Sequence, residues 1–307
     1  MSNRISGMPG GAAHAAAVIL ALIMTLCLLL SGCTALVNTL MNDTALHESV
    51  ALSDQVQTAQ KEKIFAKVDA LAEKYSFAPE TVNTFLTDEA LEDYNRQVIA
   101  WWMSLLDTAP SLTVPSFSTT DMIEAVMADE QFKENTSTGR RKAIARDEIA
   151  AVIAQTVQET VLPLRSALIS LGMSQVLQRV NLAKYTAIIP HLPWIFLGAS
   201  VMLMCLTVLV MARRPLRALV YIGGSLSAAG VLDLALILCL KLLDLPGWVG
   251  QVSSMLSLQI SLLQAKLMPV MLICGGCALL AGLVLIGLHQ HGMLKIRRSL
   301  AAKGVAV

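Results

Sequence analysis

No cysteine falls between Cys33 and Cys205. All six cysteines (Cys27, Cys33, Cys205, Cys239, Cys274, Cys277) lie in apolar runs. The long polar stretch between them therefore holds no disulfide framework, even facing an oxidising space. Charge is scarce as well. Charged residues make up 15% of the 307-residue chain, where a soluble globular protein carries roughly 25%. No acidic residue precedes Asp43 or follows Asp244. Alternating strand patterns of useful length are missing, which argues against a β architecture. There is no phosphate-binding glycine loop, zinc-protease histidine pair or nucleophile elbow. The five histidines, His14, His47, His191, His289 and His291, are scattered. A catalytic centre, a cofactor, a metal site and a nucleic-acid partner are accordingly not expected.

What is abundant is apolar sequence, 55% of the chain and clustered. A helix of roughly 20 apolar residues crosses a bilayer core. Four runs qualify: 12–37, 188–212, 218–243 and 267–288. The expected fold class is all-α, a polytopic membrane protein with four transmembrane helices and a helical extracytoplasmic domain. Orientation follows Lys/Arg in short flanking loops. Arg4, the Arg213, Arg214 and Arg217 turn, and Lys295, Arg297, Arg298 and Lys303 give these flanks eight basic residues and no acidic one. Residues 1–11, the 213–217 turn and the 289–307 tail are therefore placed in the cytoplasm. Pro215 suits a first helical turn, where its missing N–H costs nothing.

Residues 42–187 and 244–266 then face outward. The longer segment holds 20 of the 22 acidic residues against 13 Lys/Arg. Trp194 and Trp248 fall near the expected outer boundary, where indole rings anchor well. Periodicity in the longer segment is helical almost throughout. One stretch runs from Asp43 to Tyr75, and Pro79 can open a short helix after the break at 75–79. "TDEALEDYNRQVIAWWMSLL" presents an apolar face of Leu91, Tyr94, Val98, Trp101, Trp102 and Leu105. "DMIE", Asp121 to Glu124, has capping-box spacing. "NTSTG" is a break, and a long amphipathic helix follows from Arg140, kinked at Pro163. In 244–266, "WVGQVSSMLSLQISLLQAK" is either a surface amphipathic helix or an outward extension of the fourth span.

"YNRQVIAWWMSLL" and "RDEIAAVIAQTVQETVLPLR", with the four-span layout, resemble a group of uncharacterised bacterial membrane proteins. That resemblance implies a bacterial cell membrane and no particular activity. In topology alone the chain is similar to cell-division permease-like proteins that pair with an ATPase. Those carry a cytoplasmic amphipathic segment before the first span, where this chain has only "MSNRISGMPGG".

Individual residues stand out within the spans. "LLLSGC", ending at Cys33, looks like a lipobox, whose cysteine is lipidated after cleavage. Against that, the run from Ala12 exceeds the 7–15 apolar residues of a cleavable signal, and "TALVNTLM" after Cys33 stays apolar. An uncleaved first helix is the expected outcome, with lipidation of Cys33 as the alternative. Asp233 is an intramembrane carboxylate and so a candidate for function. It has no basic partner in the other spans, and the favoured reading is a protonated or water-reached structural group. Gly223, Ser227 and Gly230 on span three, with Gly224 and Ala228 beside them, and Ala278 and Gly282 on span four, allow close helix packing. Cys274-Gly275-Gly276-Cys277 is read as small packing residues rather than a redox pair. His289 and His291 are read as solvated interface side chains.

The expected function is a non-enzymatic envelope protein presenting a helical extracytoplasmic interaction or sensing module. Its expected partners are membrane lipids and an envelope protein. The alternative is the membrane subunit of a transporter or ABC-linked complex. The roughly 19 residues after span four are too few for an output domain.

Overall fold

The computed structural model describes residues 10–104, 115–135, 139–163, 188–212 and 214–302. Among them every regular element is helical, and four helices are long and apolar enough to cross a membrane. The chain divides into two compact units. One comprises Met1–Thr39, Ala187–Leu243 and Ala265–Val307, and the other Leu40–Thr186 and Asp244–Gln264.

The apolar unit is built on four helices: α1 (Gly10–Asn42), α9 (Leu192–Val210), α10 (Pro215–Leu242) and α12 (Ser254–Ala302). Pro215 occupies the first turn of α10, with Arg214 just before it. Helix α10 is the hub. Ala218 packs with Ala17 of α1 and Met211, and Ile222 packs with Met24 of α1 and Leu203 of α9. Ser225 donates to the Ala21 carbonyl at 2.8 Å, an interhelical bond that suits an apolar solvent. Apolar side chains such as Leu22, Leu209 and Leu280 remain exposed, as lipid-facing positions must.

The second unit contains α2 (Thr44–Ala51), α3 (Asp54–Tyr75), α4 (Glu80–Asn83), α5 (Asp88–Ser104), α6 (Thr120–Ala128), α7 (Glu130–Asn135) and α8 (Gly139–Val161), with α11 (Leu245–Gly250) and the start of α12. Its centre is the α3–α8 pair. Ile64, Val68 and Leu71 recur at helical spacing on one, and Ala145, Ile149, Ile153 and Val157 every four residues on the other. Leu91, Tyr94 and Val98 of α5 and Met122, Ile123 and Val126 of α6 close the same core, with Phe132 of α7 fully buried. Tyr94 donates to the Pro115 carbonyl at 3.0 Å and meets Phe117 edge-on.

Several sequence expectations need correction. The stretch from Asp43 to Tyr75 is two helices, because the Ser53 hydroxyl donates back to the Val50 carbonyl and α3 restarts after it. Asp121 is not a cap. Helix α6 begins at Thr120, which puts Asp121 inside its first turn. Helix α8 ends at Val161, Pro163 is helical again after a break at Leu162, and the course of the expected kink beyond it lies outside the described residues. Leu105, most of the "NTSTG" break and residues 164–187 lie outside the described residues. Of the two readings of the 244–266 segment, the structure has the extension. From Ser254 it is one helix with the fourth span.

Candidate functional site

Asp233 stands at a junction of three helices. On α12, a methyl group added to Gly275 would lie 3.2 Å from the Asp233 Cβ. On α1, a methyl group on Gly32 would lie 3.6 Å from Asp233 Oδ1 and 3.9 Å from Oδ2. Two glycines, one on each neighbour, thus make the notch that admits the carboxylate. Its depth follows from the next residue along α1. The Ser31 hydroxyl donates to the Pro193 carbonyl at 3.0 Å, in the first turn of α9. Gly32 and Asp233 therefore lie level with the start of α9, where Trp194 is 72% exposed and suited to an interface. On its own helix Asp233 stands nine residues before the end of α10 at Leu242, so the carboxylate lies inside the apolar helix.

The small residues form a seam between α10 and α12. A methyl group on Gly223 would approach Gly282 O to 2.7 Å, and one on Gly230 would approach Gly275 O to 2.6 Å. Gly282 in turn faces Gly223 O and the Ser227 side chain. At these points backbone meets backbone, and any side chain would push the helices apart. The Ser227 hydroxyl is buried there without a partner among the described residues. Ala278, half-buried, lies between Gly275 and Gly282 in sequence. Gly224 and Gly276 meet nothing within 4 Å, and Ala228 is exposed, so these small residues face away from the seam. Of the C-x-x-C motif only Gly275 packs inward. Cys274 and Cys277 are exposed and free, as is Cys33 beside Gly32.

The histidines at the opposite end of the bundle are more engaged than solvated side chains would be. His289 Nδ1 lies 2.6 Å from the Leu216 carbonyl, tying α12 to the start of α10. His14 of α1 lies between Arg217 and Tyr221 of α10. Arg217 donates to its Nε2 at 3.2 Å, which leaves Nδ1 as donor to the Tyr221 hydroxyl. His291 is exposed. No three His, Cys, Asp or Glu side chains gather as a metal site among the described residues.

In the second unit the polar contacts are structural in kind. Gln60 and Asn95, both buried, exchange two amide hydrogen bonds of 3.2 and 3.0 Å, and Asn95 also donates to the Leu91 carbonyl. Asp129 ties two segments at once. Its Oδ1 accepts from the N–H groups of Gln131 and Phe132 at the start of α7, and its Oδ2 accepts from the Ala78 N–H and the Thr81 hydroxyl. Burial pushes that carboxyl up, but the bonds from Ala78, Phe132, Gln131 and Thr81 outweigh it and hold it below its ordinary value. On the surface, Lys74 and the Tyr75 hydroxyl both bond Glu148 of α8. Those bonds, Lys74's first, hold Glu148 below its ordinary range. Lys74 is raised by its bonds to Glu148 and then Tyr75, and the Tyr75 hydroxyl is raised by burial and then by Glu148.

A groove of about 590 Å³ runs between α3 and α5, lined by Asp54, Glu62, Asp88 and Glu92 with Lys61 and Gln57. Lys61 and Asp88 pair across it. The Gln57 Nε2 has no partner among the described residues, but it is shut off from solvent and so does not face the groove. None of these second-unit groups was singled out from the sequence. Asp129 alone left a local signal, an Asp followed by Glu-Gln ahead of an apolar residue.

No family model matches the chain, and no curated protein and no solved structure is significantly similar to it.

Proposed function

We propose that the chain is a non-enzymatic, multi-pass protein of a bacterial cell membrane that presents a helical extracytoplasmic module to a protein partner, for binding or sensing. The observation that carries this reading is the separate hydrophobic core of the second unit, in which α3 to α8 all take part. An ordinary connection between two spans needs no such core. A module with one can hold a charged surface in fixed shape for recognition. Orientation rests on the eight basic residues of the short flanks, which put both termini in the cytoplasm and the module outside. The transporter reading rests on Asp233. Its notch between Gly32 and Gly275 supports a structural use instead.

The test is in-cell photo-crosslinking from exposed module positions such as Asp93, Arg96 and Glu124, followed by purification from solubilised membranes. One protein should recur at neighbouring positions. Crosslinks to lipid alone from every position would contradict the reading.

A further inference from the structure

The apolar unit is electrically lopsided. Asp233 is the only acidic residue in 1–39, 187–243 and 265–307, and it lies more than four helical turns along α10 from Arg217. The opposite end gathers positive charge from two helices. Arg214 and Arg217 flank the start of α10, and Lys295, Arg297 and Arg298 are exposed on the last turns of α12. The two sets are held at one end by packing. A methyl group on Gly292 would lie 3.3 Å from the Leu216 side chain, and His289 reaches the Leu216 carbonyl. Among the described residues no carboxylate pairs with them. Arg217 commits one N–H to His14, a neutral acceptor, out of five that a guanidinium carries.

We propose that this end binds the phosphate headgroups of anionic phospholipids, through Arg214, Arg217, Lys295, Arg297 and Arg298. Depth favours lipid over a soluble acidic protein. Arg214 and Arg217 immediately precede the apolar run of α10. Lys295 lies seven residues past Leu288, or roughly 10 Å along a helix axis. A headgroup layer extends roughly 5–8 Å beyond the hydrocarbon on each side. Long basic side chains swing back toward that layer while their stems cover apolar surface. Exposed Leu294 and Ile296 on either side of Lys295 give the same segment an apolar contact with the interface. Clustered cations beside a span are the known chemistry for attracting anionic headgroups. This inference needs only the membrane spans, so it stands or falls apart from the proposed role of the external module.

The test is native mass spectrometry of the full-length protein in detergent, titrated with equimolar phosphatidylglycerol and phosphatidylcholine. Phosphatidylglycerol adducts should exceed phosphatidylcholine adducts by about fivefold or more, the factor expected if even one cation is engaged. The variant R214Q/R217Q/K295Q/R297Q/R298Q should bring that ratio near one. Two controls should keep it, K295R, which retains charge, and K241Q/K266Q, which removes cations elsewhere in the chain. Equal retention of both lipids by the unmodified protein would overturn the proposal. So would a preference that survives the quintuple variant in a protein of unchanged helicity. Binding of a poly-glutamate peptide in place of phosphatidylglycerol would overturn it too, in favour of an acidic protein partner.

Discussion

Asn95 and Gln60 show how much a single pair of side chains matters inside the helical module. Each amide is buried and each satisfies the other. Truncating one strands its partner in an apolar setting, which costs about 1–3 kcal/mol. Asn95→Ala should therefore lower the thermal midpoint of the full-length protein, whereas Gln60→Leu with Asn95→Leu should lower it less than the two single losses summed. Additive losses would mean the pair is not coupled. Titration makes a second prediction at this scale. Glu148 is held below its ordinary value, so its contribution is present above the unfolded carboxylate value of about 4.3 and fades as pH falls through the folded one. Lys74 is raised, so its contribution is present below about 10.4 and fades as pH climbs through its folded value. Tyr75, also raised, loses stability in the same alkaline direction, because the unfolded phenol ionises first. Glu148→Gln should flatten the acid limb of a stability–pH curve while leaving neutral stability little changed, since exposed pairs contribute little. An unchanged acid limb would show that other carboxylates set it.

At the scale of elements, the close approach of α10 and α12 depends on which glycines face the seam. Gly282→Leu drives a side chain into Ser227 and the Gly223 carbonyl. Overpacking of that kind costs about 1–3 kcal/mol, and detergent-purified protein should melt several degrees lower. Gly276→Leu points into open space and should be tolerated. Equal damage from both would show that the seam is not where these helices meet. The four spans were legible because length and apolar content alone define them, and Pro215 marked a helix start because its missing N–H suits only that position. Gly223, Gly230 and Gly282 could be picked as packing residues, but helical spacing did not reveal that Gly276 faces away while Gly275 does not. Breaks inside the module were harder to read. Ser53 and Asp129 end or start helices through side-chain hydrogen bonds, and such residues are also tolerated in helix interiors. Gln60 and Asn95 sit 35 residues apart, a pairing that no local pattern announces. Asp233 was visible as a misplaced charge. Its neighbours Gly32 and Gly275 come from the first and last spans, so the notch that holds it emerged only from the fold.

At the scale of the whole molecule, charge and apolar content are sorted between two units. Nearly all carboxylates belong to the helical module, while the short flanks of the spans carry only cations. That sorting underlies the proposed threading, with the module outside and the basic end within. The most direct test is labelling of single introduced cysteines by a membrane-impermeant maleimide, measured above the background of the six native cysteines. Asp93→Cys and Gln97→Cys, both at exposed positions of the module, should label in intact cells. Arg214→Cys and Arg298→Cys should label only after lysis. Labelling of Arg298→Cys in intact cells, with Asp93→Cys protected until lysis, would contradict the account.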